Sequence, residues 1–290
     1  FIEYRKVAYV ISAFVLLAGV ASFFNGFHEG VEFKGGRSYN VQFDQAVKND
    51  DVRDDLKNAF GGDFPVIKTV GDSRHLNITT SYLKGVDNAD STVQTKLYEG
   101  LKKVLPPNLS YGDFAKKYIQ AHSTVQPSIS DDLKRGAVKA TIFAMLIIFL
   151  YIFIRFRDWR YSLGTILTLL HDVLVTLAVF SFLKNIVPFP LEIDQHFIAA
   201  VLTVIGFSMN DTVIVFDRIR EYSRDMKGAT KTQIINRAIN DTLSRTVMTS
   251  MTVFLTLLIL FIFGGEVTRG FAFAMLIGVI TGTYSSIFVG

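Results

Sequence analysis

The run VAYVISAFVLLAGVASFF, residues 7–24, holds 18 residues without a charged side chain and follows Arg5 and Lys6. At about 1.5 Å rise per residue, a helix of this length nearly crosses a hydrocarbon core about 30 Å thick. A signal peptide is the alternative, but its apolar core usually spans about 7–15 residues, so the length favours a first membrane helix over residues 1–24. Because the chain begins at Phe1 without Met, we also expect a fragment or a processed piece of a longer protein.

Five further apolar runs follow, and each is long enough to cross a membrane. The chain is half hydrophobic and 19% charged, whereas soluble domains usually carry about 25% charge spread along the chain. We therefore expect a polytopic α-helical membrane protein with six transmembrane helices. The five runs are residues 137–154, 161–183, 197–215, 246–263 and 270–290.

The formal charge of +4 does not indicate a nucleic-acid partner, because the basic residues lie mostly at the ends of apolar runs. Short loops rich in Lys and Arg usually face the cytoplasm. Residues 155–160 hold three arginines and residues 218–245 hold seven basic residues, whereas the other connections are poor in positive charge. We therefore expect both termini in the cytoplasm and the long polar segment, residues 25–136, outside it.

The segment 25–136 shows the patterns of a small α+β domain. Alternating residues bounded by Gly and Asp turn signals predict strands over residues 38–43, 65–70 and 75–80. Helical spacing predicts helices over residues 46–60 and 92–104, and two prolines end the second one. The order strand, helix, strand, strand, helix predicts a ferredoxin-like extracytoplasmic domain between the first and second membrane helices.

Residues 231–243 predict an amphipathic helix. Its apolar residues fall on one face at helical spacing, while Lys231, Gln233 and Arg237 lie elsewhere. Such a helix is typical of a membrane interface, so we expect it at the cytoplasmic surface of a five-helix domain over residues 137–290.

Few ionisable residues lie within the apolar runs, and a central charge there costs at least about 2.5 kcal/mol, so each is a functional candidate. His171 and Asp172 lie near the middle of the third run. A function in ion movement and a hydrogen-bonded pair that locks helices together explain these two residues equally well.

Asp211 is the stronger candidate. It follows Ser208 and Asn210 and precedes Thr212, in a run of small and hydroxylated residues that allows close helix approach and water entry. A carboxylate in that setting can alternate between protonated and ionised forms, as a proton relay requires. Arg245, at the start of the fifth run, is a candidate cation for it, or else an anchor whose side chain reaches the lipid headgroups.

Neither a metal nor a cofactor is expected. The sequence has no Cys and no His, Asp and Glu group with metal-ligand spacing. Gly35-Gly36 lacks the Lys-Ser/Thr of a nucleotide-binding loop. We therefore do not expect ATP to act through this chain.

Several motifs resemble those of the SecD/SecF family of protein-export membrane proteins, in the RND superfamily, and in particular of its SecF branch. Residues 30–36, GVEFKGG, resemble the motif that opens the family's external domain. Residues 206–221, GFSMNDTVIVFDRIRE, resemble its fourth-span signature almost residue for residue. Residues 240–246 and 170–173 resemble motifs of its fifth and third spans.

The first motif matches the family at four positions and departs from it at one. The matching residues are Gly30, Phe33, Gly35 and Gly36, whereas Glu32 stands where Asp is common. A second departure is Gln126, before Pro127, where Gly is usual. Both departures affect only the expected local geometry of the external domain and its link to the second span.

The resemblance implies the architecture of half an RND transporter, with one span, the external domain and five further spans. It implies that Asp211 is an ion-relay carboxylate and that Arg245 is its partner. The supporting polar residues within the membrane are then Ser208, Asn210, Thr212, His171 and Asp172.

The resemblance also implies partners and a place. SecD is expected as a separate subunit or as part of the same polypeptide, together with the SecYEG channel, YajC and YidC, in the bacterial inner membrane with the external domain in the periplasm. The implied activity is assistance to the late stages of translocation of an unfolded polypeptide, driven by the proton or sodium motive force. Membrane lipids are the remaining partners, and no enzymatic activity is implied.

Two other functions share parts of this pattern. An RND-type ion-coupled exporter of small molecules or lipids would have the same topology but normally lacks the run NDTVIVFDRIRE. An intramembrane aspartyl protease could use Asp172 and Asp211 as a pair that shares a proton. Against the protease, Asp211 lacks the preceding Gly-x-Gly of such enzymes.

Overall fold

The structure, a computed structural model, describes residues 5–86, 88–125, 127–187, 189 and 191–290, so that Gln126 lies outside the described residues. In chain order the elements are α1 (Arg5–Asn25), β1 (His28–Glu29), α2 (Val31–Lys34), β2 (Gly36–Gln42), α3 (Asn49–Ala59), β3 (Val66–Val70), β4 (Asp72–Thr80), α4 (Asp90–Leu101), α5 (Tyr111–Asp113), a π-helical turn (Phe114–Tyr118), β5 (Ile119–Val125), α6 (Pro127–Phe156), α7 (Trp159–Leu183), β6 (Glu192–Ile193), α8 (Gln195–Asp225), α9 (Lys231–Phe263) and α10 (Gly265–Phe288).

Among the described residues, six helices are long and apolar enough to cross a membrane, namely α1 and α6 to α10. This confirms the predicted polytopic α-helical fold with six spans. The outward faces of α6 and α9 remain apolar and exposed, as at Ile147 and Ile259, which is typical of helices that cross a membrane.

Side-chain caps begin three of these helices. Asp158 accepts a hydrogen bond from the backbone N–H of Arg160 at 3.0 Å, ahead of α7, and Asp194 accepts one from that of Phe197 at 2.7 Å, ahead of α8. Thr230 forms a capping box at the start of α9. The caps satisfy N–H groups that have no partner within the helix, and so they mark where each connection ends.

The helix α9 runs without a break from Lys231 to Phe263. The predicted amphipathic segment over residues 231–243 is therefore helical and is continuous with the fifth span. No Gly or Pro interrupts residues 231–263, and Ile234 and Ala238 are buried, so packing continues across the predicted boundary.

The centre of the bundle is the contact between α8 and α10. A Cβ added at Gly278 would lie 2.1 Å from Cγ2 of Val204, and one at Gly282 would lie 3.1 Å from Cβ of Ser208. These glycines bring the two backbones close together, as small residues do between membrane helices. On the other side of the bundle, Gly19 of α1 packs in the same way against Leu174 of α7.

The domain between α1 and α6 lies outside the bundle of membrane helices, is called the external domain for that reason, and has the predicted ferredoxin-like topology. Its strands form an antiparallel sheet in the order β3-β4-β2-β5, with α3 and α4 inserted as in a split βαβ arrangement. The helices cover one face, where Tyr39, Leu56 and Leu97 form the core. The last strand, β5, was not predicted, because residues 119–125 are mostly exposed and lack an alternation of apolar and polar residues.

A short second sheet joins the external domain to the membrane helices. Strand β1, directly after α1, pairs in parallel with β6, which lies directly before the cap of α8. Lys68 of β3 also bonds Glu192 of β6 at 2.7 Å. The external domain is thus attached at the point where α8 begins.

Candidate functional site

Asp211 lies within α8, and its side chain is buried. Neither carboxylate oxygen has a hydrogen-bond partner among the described residues. A buried polar atom without a partner is uncommon, and a carboxylate is the most costly example because its ionised form must leave water. Asp211 is therefore the residue of α8 whose position is hardest to explain by folding alone.

Arg245 is the cation whose electrostatic field acts on Asp211. Its side chain is exposed, and no ion pair joins it to Asp211 within the part of the chain that the structure describes. The residues that sequence reasoning paired are thus brought into electrostatic range but not into direct contact.

Asp172, on α7, shows the opposite arrangement. It is fully buried, and its Oδ2 accepts hydrogen bonds from Ser208 at 2.6 Å and from Ser285 at 2.8 Å. Nδ1 of His171 lies 3.3 Å from its Oδ1, and Nε2 of His171 has no partner among the described residues. One carboxylate therefore ties α7, α8 and α10 together.

The structure does not bring the predicted supporting residues together around Asp211. Ser208 donates a hydrogen bond to Asp172, and the hydroxyl of Thr212 donates one to the backbone carbonyl of Ser208 at 3.0 Å. The Asn210 side chain is exposed and faces away from the bundle. None of these side chains donates a hydrogen bond to Asp211, so the predicted polar group around that residue is not assembled among the described residues.

The contact between Asp172 and Ser285 was missed from the sequence, as was the role of Gly282. A Cβ at Gly282 would lie 3.6 Å from Oδ2 of Asp172, so the glycine lets α10 reach the carboxylate. The signal was present as the series Gly278, Gly282 and Ser285, which places small residues on one face of the last span. The protease alternative would require a hydrogen bond between Asp172 and Asp211, and these two carboxylates share none.

The motif over residues 30–36 packs closely where the external domain meets the start of α8. The N–H of Gly30 donates to the carbonyl of Ile193 at 2.9 Å, and a Cβ at Gly30 would lie 2.7 Å from that of Asp194. Gly36 has φ +141°, and a Cβ there would lie 2.3 Å from the carbonyl oxygen of Thr80. Only glycine fits such positions, so the motif fixes how the external domain is attached to the membrane helices.

Within the same motif, Gly35 and Phe33 complete the turn. Gly35 has φ +74°, in the left-handed region, and Phe33 is buried. Glu32, the departure from the family pattern, lies in the electrostatic surroundings of Glu192. Burial raises the pKa of Glu192, and the carboxylates of Asp194 and Glu32 act in the same direction against Lys68.

Comparison with known proteins places these features in a family. The family model described as "Protein export membrane protein SecD/SecF, C-terminal" matches residues 109–290, and the model described as "SecD/SecF GG Motif" matches residues 20–47. The chain belongs to the SecD/SecF family. The first of these matches covers β5 and the five spans that follow, and the second covers the junction motif.

Relatives of known name cover almost the whole chain. Protein translocase subunit SecF of Rhodothermus marinus is 42% identical over 290 residues, which are 100% of this chain and 90% of that protein. The protein of the same name from Haemophilus influenzae is 36% identical, over 100% of this chain and 83% of that one. This member of the SecD/SecF family is thus a multi-pass membrane protein with an accessory role in the Sec export pathway.

Solved structures of the family show the same fold within a longer chain. The crystal structure of SecDF from Thermus thermophilus, described as a translocon-associated membrane protein, matches with a TM-score of 0.76 and 33% identity. The match covers 99% of this chain but 37% of that one. Protein translocase subunit SecDF of Brucella abortus is likewise 36% identical over 36% of its length.

Proposed function

We propose that the chain acts as the SecF subunit, or the SecF half, of a SecDF complex that uses the proton or sodium motive force to assist the late stages of polypeptide translocation through the SecYEG channel. The observation that carries this proposal is the buried carboxylate of Asp211, which has no hydrogen-bond partner among the described residues and lies in the field of Arg245. A group held in this way gains or loses a cation with little rearrangement of its surroundings.

Orientation follows from charge. The arginines at the α6–α7 turn and the basic residues around the α8–α9 connection support a cytoplasmic position for those loops. Both termini then lie in the cytoplasm, and the ferredoxin-like domain lies in the periplasm. The proton or sodium ion reaches Asp211 from the periplasmic side, and Asp211 faces Arg245 in the cytoplasmic halves of α8 and α9.

The mechanism uses α8 as a rigid connection. Protonation of Asp211 removes its attraction to Arg245 and permits α8 to shift against α9. Asp211 lies about 24 Å along α8 from Gln195, at 1.5 Å per residue. Because Asp194 caps that end and β6 precedes it, the shift reaches β1 and Lys68 of the external domain.

The Asp172 contacts make this connection stiffer. Since Asp172 holds α7, α8 and α10 through two serine hydroxyls, the three helices move as one body. One elementary charge that crosses 100 mV supplies about 2.3 kcal/mol, enough to bias two arrangements of this body by about 50-fold. The moving external domain would then oppose backsliding of an emerging polypeptide.

SecD is the expected partner within the membrane. Asn210 exposes a carboxamide on the outer face of α8, and Gly206 on the same face has open space where a Cβ would lie. A polar and a small residue on a lipid-facing surface are typical of a helix–helix interface. SecYEG, YajC and YidC, the unfolded polypeptide and membrane lipids complete the proposed assembly.

The test is completion of preprotein translocation into inverted vesicles without ATP, under an imposed ion gradient. We expect Asp211→Asn to lower the rate of gradient-driven completion by up to about 50-fold, while the ATP-driven step and complex assembly persist. Asp225→Asn makes the same chemical change at the exposed end of α8 and serves as the control. Normal completion by Asp211→Asn would show that Asp211 is only a structural contact.

A further inference from the structure

A cleft of about 440 Å³ lies between the end of α6, the second half of α8 and Arg245 of α9, on the side of the bundle opposite the external domain. Five guanidinium groups line it, those of Arg155, Arg218, Arg220, Arg224 and Arg245. The position of Arg245 makes the cleft a neighbour of the proposed ion relay, although none of the other arginines has a part in that proposal.

The acidic residues of the cleft neutralise only part of this charge. Asp217 pairs with Arg155 at 3.1 Å, and Glu221 pairs with Arg218 at 2.8 Å. Arg220, Arg224 and Arg245 make no ion pair with the described residues. Three guanidinium groups are therefore left to hold a negative ligand, and guanidinium is the side-chain group best matched to phosphate.

Neighbouring groups hold part of the cleft in place. Arg220 donates a hydrogen bond to the backbone carbonyl of Arg155 at 3.1 Å. The ring of Phe156 lies 5.5 Å from the guanidinium carbon of Arg155 and 5.9 Å from that of Arg220. Two cations thus lie over one aromatic ring before any ligand arrives.

The position in the fold indicates which phosphate compound fits. The cleft begins where α6 ends, at Phe156, and Ile214 of the fourth span forms part of its wall. Polar walls therefore meet an apolar one at the boundary of the membrane-spanning helices. Basic pockets between helix ends bind the headgroups of anionic phospholipids, whose phosphates lie at this depth.

We propose that this cleft binds the phosphate of an anionic phospholipid headgroup, of the phosphatidylglycerol or cardiolipin class, and that Arg245 is shared between this phosphate and Asp211. The lipid site stands on the geometry and charge of the cleft alone. The sharing of Arg245 rests on the proposed function of Asp211. Because two anions then compete for one cation, binding of lipid and interaction with Asp211 oppose each other.

The experiment measures lipid retained by the chain purified with its SecD partner, by native mass spectrometry across a titration with phosphatidylglycerol or phosphatidylcholine. We expect phosphatidylglycerol to bind more tightly. Arg220→Gln with Arg224→Gln should weaken that binding by about 25-fold, at about 5-fold for each charge. Lys227→Gln with Lys231→Gln removes the same charge outside the cleft and should leave the affinity unchanged.

Two further variants keep the test decisive. Arg220→Lys with Arg224→Lys preserves the charge and should retain most of the binding, which separates a lost site from a damaged fold. Asp211→Asn should tighten phosphatidylglycerol binding by about 5-fold, because a competitor for Arg245 is removed. An unchanged affinity in Asp211→Asn would overturn the sharing of Arg245.

Three results would overturn the lipid site itself. The first is equal retention of phosphatidylcholine and phosphatidylglycerol. The second is an equal loss of phosphatidylglycerol binding in the control with Lys227→Gln and Lys231→Gln. The third is displacement of the lipid by millimolar inorganic phosphate, which would make free phosphate the ligand. The readout uses neither an ion gradient nor a preprotein. A failure of the proposed translocation role therefore leaves the lipid site standing, and the reverse also holds.

Discussion

Asp172 and Asp211 are two carboxylates buried in neighbouring helices of one bundle, and their surroundings differ in almost every respect. Asp172 receives two hydroxyl hydrogen bonds and has His171 beside it, whereas Asp211 receives no hydrogen bond from the described residues. The hydroxyls at Asp172 come from Ser208 and Ser285, on two other helices. Burial alone therefore does not determine whether a carboxylate in this bundle has hydrogen-bond partners.

The difference shows what a partner does. A carboxylate that holds its hydrogen bonds stabilises one arrangement of the helices, and a change of charge there would break contacts on three helices at once. A carboxylate without hydrogen-bond partners stabilises no particular arrangement, and a change of its charge breaks no hydrogen bond, so its cost in folding needs another explanation. We therefore expect Asp172 to govern stability and Asp211 to govern coupling.

The largest expected effect separates these roles. Asp172→Ala should lower the free energy of unfolding by about 2–3 kcal/mol, because two buried serine hydroxyls lose their acceptor. Asp211→Ala should change it by less than about 1 kcal/mol or increase it, because no hydrogen bond is lost and a buried carboxylate is removed. Both values come from denaturant unfolding in detergent micelles, followed by fluorescence of Trp159. Equal losses in the two variants would contradict the comparison.

Sequence reasoning found both carboxylates and made Asp211 the stronger candidate, but it did not show which of them has hydrogen-bond partners. The six spans follow from the lengths of apolar runs, and a charge within such a run is visible at once. The contact between Asp172 and Ser285 joins residues 113 positions apart, and only the packing of Gly282 on α8 brings them together. No local pattern carries that information, so the partners of Asp172 and the isolation of Asp211 required the folded chain.

Two details of secondary structure were not visible in the sequence. Strand β5 was missed because its side chains are mostly exposed, and its place is fixed by pairing with β2. The helix predicted over residues 231–243 is present, but its continuity with the fifth span was not predicted, because helix continuity depends on the lack of a breaking residue. Polarity predicts which side of a helix meets water, but it does not predict where the helix ends.

A second prediction uses Asp63, which is an external counterpart of Asp172. Asp63 accepts hydrogen bonds from the hydroxyls of Thr80 and Ser81 at 2.8 Å and from the N–H of Ser81 at 2.9 Å. Burial alone would raise the pKa of Asp63, but these hydrogen bonds and the charge of Lys34 hold it below its ordinary value. Asp63→Ala should therefore destabilise the external domain by about 1.5–2 kcal/mol at pH 7.

The sign of the pH dependence follows from that lowered pKa. The ionised carboxylate stabilises the folded domain fully above the unfolded pKa of about 3.9, and the contribution is lost as the pH falls through the lower folded value. The difference between wild type and Asp63→Ala should thus shrink as the pH falls below the unfolded value. Urea unfolding followed by near-ultraviolet circular dichroism measures it, and a difference that grows in acid would contradict the assignment.

A third prediction divides the Asp172 contacts between its two donors. Ser208→Ala and Ser285→Ala should each cost about 1 kcal/mol, near the usual worth of a hydrogen bond between membrane helices. The double variant should cost more than the sum of the two, because Oδ2 of Asp172 keeps one hydrogen bond in each single variant and loses both in the double variant. Strict additivity in a double-mutant cycle, measured in the same micelles, would show that the hydroxyls act independently.

The smallest expected effect concerns Thr246, directly after Arg245. Its hydroxyl is buried and has no partner among the described residues, as is also the case for the carboxylate of Asp211. Thr246→Val keeps the shape and removes the hydroxyl, so stability should stay within about 0.5 kcal/mol of wild type or rise slightly. If the hydroxyl is there only for packing, gradient-driven translocation by the variant should also be unchanged. A variant of normal stability that has lost gradient-driven translocation would instead place Thr246 beside Asp211 in the ion path. The buried polar atoms without hydrogen-bond partners at Thr246 and Asp211 would then act together in ion movement.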